Sequence, residues 1–214
     1  MAQRFLITHP QNPPPRLMRQ AAAIVLDGGL IVYPTDSCYA LGCQLGNAEA
    51  AARIRRLRGL DERHHFTLVC RDLAELGRYA RVDNRQFRLL RAATPGSYTF
   101  ILQATREVPR RMMHPRRSTI GLRVPGHPVV DALLRELGEP LLSSTLLLPG
   151  DEWPENDGER IRERLEHQVD LVIDAGPCGI EPTTVVDLTD DPPQVLRVGR
   201  GPVEPLGLEP PEGD

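Results

Sequence analysis

The sequence predicts an α/β fold, an open, twisted, mixed sheet with helices on its faces. Two observations lead there. Segments of strand type and helix type interleave from one end of the chain to the other, which is the pattern of a sheet covered by helices. The strands expected at 184–188 and 194–198 are too close for a helical crossover, so at least one pair is antiparallel. With 214 residues, the chain has the length of one domain at roughly 100–200 residues each. Residues 1–205 are expected to form it, followed by a Pro/Glu/Gly-rich tail, 206–214, expected to be disordered.

Taken in order, Arg4–Thr8 reads as a first strand and Pro10–Pro15 as a proline-rich connection. Leu17, Ala21, Ile24 and Val25 give a helix over Arg16–Leu26 that stops at Gly28-Gly29. Leu30–Tyr33 is a buried strand ended by Pro34, and Asn47 caps a helix over Ala48–Arg58. Phe66–Cys70 is a strand, followed by helices Leu73–Tyr79 and Asn84–Ala93. The aromatic and β-branched run Tyr98–Ala104 and then Thr119–Val124 are strands. His127–Leu137 is a helix closed by Gly138, and Leu141–Ser144 a strand. After a polar loop, Asp151–Gly158, come a charged helix, Glu159–His167, and the strands Leu171–Ile173, Thr184–Leu188 and Gln194–Val198.

The net charge of −3 hides a division along the chain. Residues 50–123 carry 17 Arg against 6 acids, a local +11, and residues 136–214 carry 5 Arg against 19 acids, a local −14. Either the arginines meet an anionic partner or they pair with acids across the fold. All 26 basic residues are arginine, which excludes a P-loop lysine, a Schiff base and a pyridoxal-phosphate enzyme. Apolar runs are too short to span a membrane or to form a signal peptide. The cysteines, at 38, 43, 70 and 178, form no C-x-x-C pair, so a free-thiol, cytoplasmic chain with no membrane partner is expected. There is no G-x-S-x-G elbow, no G-x-G-x-x-G and no zinc spacing. The adjacent histidines His64 and His65 fit a solvated loop or a general base.

Hydroxyl and arginine residues at strand ends remain. Thr35 follows a buried strand; Thr119, Gly121 and Arg123 share one strand face by period two; Ser143 and Thr145 end another strand; Thr183 opens a fourth and Arg197 lies on a fifth. Singly, each hydroxyl reads as a backbone cap; together with the arginines they predict one deep concave anion pocket outside the strand ends, lined by the seven residues Thr35, Arg58, Arg123, Ser143, Thr145, Thr183 and Arg197.

These residues fall in motifs. Tyr33-Pro-Thr-Asp-Ser-Cys-Tyr-Ala-Leu-Gly42, Thr119-Ile-Gly-Leu-Arg-Val-Pro125 with His127-Pro128, Pro140-Leu-Leu-Ser-Ser-Thr145, Gly179–Asp187 and Leu196-Arg-Val-Gly199 occur in order over about residues 15–205. The chain thereby resembles the YrdC/YciO family, whose characterised enzymes are threonylcarbamoyl-adenylate synthases. Phe66–Leu73 and Thr94–Phe100 resemble its YciO branch. The resemblance implies a single YrdC-like domain that joins L-threonine, bicarbonate and Mg²⁺-bound ATP into threonylcarbamoyl-AMP, releasing pyrophosphate, for tRNA modification. It implies no tightly bound cofactor, no metal-ligand set and no assigned catalytic side chain. By motif, Arg58, Thr119, Thr145 and Arg197 would face ATP; Thr35, Arg123, Ser143 and Thr183 would bind threonine. Two motifs depart from the synthases. Their K-x-R is Arg58-Gly59-Leu60 here, and their S-x-N is Thr145-Leu146-Leu147. A weakened reaction follows unless Arg56, Arg63 or Arg71 compensates. The alternative is a non-catalytic protein binding nucleotide or double-stranded RNA, or tRNA, through Arg110, Arg111, Arg116 and Arg117.

Overall fold

A computed structural model describes residues 3–61, 64 and 66–211. Its centre is one ten-stranded mixed sheet. The strands are β1 (Arg4–Ile7), β2 (Ile31–Tyr33), β3 (Ala40–Gln44), β4 (Thr67–Val69), β5 (Tyr98–Gln103), β6 (Thr119–Arg123), β7 (Leu141–Thr145), β8 (Leu171–Asp174), β9 (Thr184–Asp187) and β10 (Gln194–Arg197). They lie in the order β1-β8-β2-β3-β7-β4-β6-β5-β9-β10. β9 and β10 form the antiparallel pair that the sequence predicts. The helices are α1 (Pro15–Leu26), α2 (Ala48–Arg58), α3 (Leu73–Tyr79), α4 (Asn84–Ala93), α5 (Pro128–Leu137) and α6 (Gly158–Arg164).

Side-chain caps start several of these helices. The Asn47 carboxamide oxygen accepts from the Ala50 N–H, and Asp83 and Gln86 form a reciprocal capping box on α4. Helix α6 ends earlier than the charge pattern suggests: Leu165 leaves helical geometry and His167 takes a positive φ of 67°. β3 is a strand that the sequence pattern does not show. Ala40-Leu-Gly-Cys-Gln contains no β-branched residue, and its glycine is dictated by packing, since a Cβ at Gly42 would stand 2.5 Å from Leu141 Cδ2 and 2.8 Å from Tyr33 Cε1.

Each sheet face buries its own core. On one, Ala50 and Ile54 of α2, Leu76 of α3 and Leu90 of α4 pack on Leu41, Leu68, Phe100 and Leu122. On the other, Met18 and Val25 of α1 and Val129 and Leu133 of α5 pack on Ile31, Tyr33, Leu141 and Ile173. This second core takes no residue from β5, β9 or β10. Two helices are too narrow to cover ten strands, so that end of the face stays open, and a site lies there. Leu206 is buried and Leu208 packs against the larger core, so the expected tail is attached through its first residues. Residues 212–214 of that tail lie outside the described residues. No helix is long and apolar enough to cross a membrane among the described residues.

Candidate functional site

Strand alternation builds the site. Phe100, Leu122 and Val186 point into the larger core, so Thr99, Ile101, Gly121 and Val185 point to the opposite, uncovered face. There they line a cavity of about 360 Å³, the size of a small-ligand site. Thr67, Ser144, Thr145 and Thr183 add hydroxyls, and Arg58, His64 and Arg197 add nitrogen groups. Among the described residues, no carboxylate lines it. Gly121 keeps the floor open: a Cβ there would lie 3.1 Å from Thr67 Oγ1 and 3.2 Å from Thr99 Cγ2.

A β-bulge aims Arg197. Val195 pairs with Val186 and packs in the core, but the register then shifts so that Leu196 and Arg197 share the single partner Val185. Regular alternation would send Arg197 to the core side with Val195; the extra residue turns it into the cavity. Its Nε and Nη2 donate to the Thr183 carbonyl at 3.1 and 2.8 Å. Arg58, in the last turn of α2, donates from Nε to the Leu147 carbonyl at 2.8 Å and from Nη1 to Ser144 Oγ at 2.8 Å. Both guanidiniums are thus held by neutral acceptors. Burial pushes both below the ordinary arginine value, and for Arg58 the charge of Arg197 adds to the effect. Two fixed cations whose described neighbours in the cavity include no acid favour an anion.

Four of the seven residues expected in one pocket line this cavity: Arg58, Thr145, Thr183 and Arg197. The other three lie in a buried cluster. Ser143 Oγ bonds the Tyr33 hydroxyl at 2.7 Å and donates to the Leu41 carbonyl at 2.9 Å; Thr35 Oγ1 donates to the Cys38 carbonyl at 2.7 Å. Arg123 Nη2 donates to Asp36 Oδ1 at 2.5 Å, with both side chains largely buried, and its Nε has no partner. Asp36 also accepts from the Gly126 N–H at 2.9 Å. Cys38 joins the two groups: its thiol bonds Ser37 and Thr145, and burial raises its pKa while the charges of Arg123 and Arg197 pull it down. Burial likewise pushes Tyr33 up to about 12, keeping it a neutral hydrogen-bonding phenol. Thr119 is fully buried and does not line the cavity.

Of the three arginines that might replace the missing motif cation, Arg56 and Arg71 line other surfaces and Arg63 lies outside the described residues, as does His65. Among the surface arginines, Arg117 is bound to Asp187 at 2.9 Å, to Asp190 and to Thr189, so part of the basic segment pairs with the acidic one. Arg111 donates to the Gly46 carbonyl at 2.7 Å, while Arg110 and Arg116 are exposed. Ser144, Thr67 and Thr99 are cavity residues that motif reasoning did not single out. Period two, which placed Gly121, also signals Thr67 and Thr99; Ser144 lies out of phase with Thr145 and reaches the cavity at the strand end, beside Arg58.

Fold and site together define an α/β protein with an arginine-lined cavity on the open end of its sheet. The Sua5/YciO/YrdC family model, described as telomere recombination, matches residues 23–199, and the chain belongs to that family. It is 57% identical to the uncharacterized protein YciO of Escherichia coli K12 over 206 residues, 96% of this chain and all of that one. It is 32% identical to a threonylcarbamoyl-AMP synthase of Halorhodospira halophila over 180 residues, 83% of this chain and 93% of that one. The crystal structure of E. coli YciO superposes with a TM-score of 0.92 at 56% identity, covering 95% of this chain and 99% of that one. The fold is also that of P. abyssi Sua5 complexed with L-threonine, at TM-score 0.86 and 24% identity, over 94% of this chain and 58% of that one.

Proposed function

We propose that the chain carries out a weakened threonylcarbamoyl-AMP synthase reaction. The observation that carries this reading is the pair Arg58 and Arg197, both fixed by neutral acceptors in one cavity with no acid among its described lining residues. Such a pair suits a polyphosphate whose charge grows at the leaving group. In the proposed sequence the threonine amine attacks the carbon of bicarbonate and water leaves, giving a carbamate. A carbamate oxygen then attacks the α-phosphorus of ATP, and the α–β bridging bond breaks with its electron pair on pyrophosphate. Arg58, Arg197 and Thr145 hold phosphate oxygens; the family pattern adds Thr119. Thr35, Arg123, Ser143 and Thr183 hold threonine, with its carboxylate at the Arg123 guanidinium beside Asp36. Mg²⁺ enters with the triphosphate as part of the substrate.

The two motif departures set the rate. Leu60 and Leu147 stand where the synthases place a cation and an amide. Each loss removes about 2–4 kcal/mol of transition-state stabilisation, together several powers of ten. Threonine-dependent release of pyrophosphate from ATP in bicarbonate tests the proposal. Slow release that vanishes in Arg197→Ala supports it, and no release above the threonine-free control overturns it.

RNA contact is a second reading, supported by the exposed Arg110 and Arg116. Affinity for duplex RNA would fall with salt by ~0.7–0.9 log units per log unit for each phosphate contacted. Arg110→Glu with Arg116→Glu would lower that slope for duplexes of any sequence, and an unchanged slope would remove this reading.

A further inference from the structure

A second cavity, of about 420 Å³, opens beside α2 on the face of the sheet that carries the larger core. Its far wall is the 3-10 turn Arg110–Met112. The lining divides by chemistry. Ala48 and Ala52 on α2 and Met113 are its accessible apolar lining, and Ala51 and Met112, both buried in the larger core, form the floor of an apolar slot. Arg55, Arg110 and Arg111 border it, and among the described residues no carboxylate does.

Each arginine keeps its charge available. Arg55 lies 4.5 Å over the Phe66 ring and donates to the Asp61 carbonyl at 2.8 Å. Arg111 is steadied by the Gly46 carbonyl. Both partners are neutral, so neither cancels a charge. Arg110 is exposed beside them. Two anchored guanidiniums and one extended one are suited to grip a phosphate with several N–H donors.

We propose that this cavity is a binding site for a small organic phosphate of mononucleotide size, separate from the cavity that holds Arg58 and Arg197. The phosphate sits between Arg55, Arg110 and Arg111, and a flat, weakly polar body lies in the slot between the alanines and the methionines. An inorganic anion would use only the arginines and leave the slot empty. An A-form duplex is too broad to enter a cavity of this size and would meet only its rim. The proposal does not depend on the synthase reading, because it uses none of that site's residues.

The chain contains four methionines, at 1, 18, 112 and 113, which supplies a local probe. With methyl-¹³C-methionine protein, adenosine monophosphate is titrated and the methyl resonances are followed. The Met112 and Met113 signals are expected to move saturably while that of Met18, in the core under α1, stays in place. Inorganic phosphate should bind roughly tenfold or more weakly. Arg110→Ser with Arg111→Ser, both at exposed positions, should abolish the shifts without changing the thermal midpoint. Ala52→Phe, which fills the slot and keeps every charge, should weaken the nucleotide and leave inorganic phosphate unaffected. Unmoved Met112 and Met113 signals at millimolar nucleotide overturn the proposal. So do shifts that persist in the double arginine variant, or equal affinity for phosphate and nucleotide.

Discussion

Arg123 and Arg197 both close a strand and both point to the side of the sheet away from α2, yet their electrostatic situations are opposite. Arg123 is sunk beside Asp36, which neutralises it and also accepts from the Gly126 backbone. Arg197 leans on the Thr183 carbonyl and keeps its charge for whatever enters the cavity. Arg123 ties the 34–38 loop to the sheet through a carboxylate, whereas the contacts of Arg197 leave its charge unpaired. Charge counting along the chain treats them alike, and the acceptor each one meets tells them apart.

The largest expected effect would break this contrast. Arg123→Ala strands a buried carboxylate and should cost about 3–5 kcal/mol of stability, whereas Arg123→Met with Asp36→Asn should recover most of it. Denaturant melts of the three variants suffice; an Arg123→Ala protein as stable as the parent would show that the pair is not structural. Next in size, Arg197→Ala and Arg58→Ala should each remove about 2–4 kcal/mol of transition-state stabilisation from threonine-dependent pyrophosphate release. Thermal midpoints should stay near that of the parent, because the carbonyls left behind border an open cavity. Loss of fold in either would place that residue with Arg123 instead.

A smaller effect sharpens the picture of the cavity. Gly121→Val crowds Thr67 and Thr99 and should cost about 1–3 kcal/mol in stability. Calorimetry should show that nucleotide binding weakens as well; full affinity would mean that ligands avoid this floor. The smallest effect concerns His127, beside Asp36 at the start of α5. Its Nδ1 accepts the Val129 N–H at 3.2 Å, and burial lowers its pKa below 6.5 despite the nearby carboxylate. The folded state therefore prefers the neutral ring. Its stabilising contribution is complete above pH 6.5 and is lost as the pH falls from there towards the folded value. Thermal midpoints between pH 8 and pH 5 should decline less in His127→Asn, which retains a capping acceptor; equal decline in both would assign the pH dependence elsewhere.

Period-two alternation and glycine stops made most of the strands and helices legible, and the same alternation placed Gly121 on the cavity side with Arg123 on its face. β3 was hidden because Gly42 and Ala40 answer to the bulk of Tyr33 and Leu141, a requirement that only tertiary packing reveals. The separation of the arginines was hidden for a similar reason. Asp36 lies 87 positions before Arg123 and nothing local announces their contact. Of the seven residues expected in one pocket, Thr35 bonds instead to the Cys38 carbonyl and Ser143 to Tyr33 and the Leu41 carbonyl, contacts that no motif announces. Arg117 was grouped with the free arginines although its acids come 70 or more positions later.

The aim of Arg197 rests on register rather than on identity. Were Leu196 to pair with Val185 in regular register, the arginine would move one place along the ladder and its side chain would fall on the core side with Val195. A sequence comparison would still find the residue, yet the cavity would have lost its cation. Deleting Leu196 has the other outcome: the arginine then follows Val195 directly, stays opposite Val185 and keeps facing the cavity, although the bulge is gone. Whether Leu196 takes a pairing position therefore decides which side of the sheet this arginine serves.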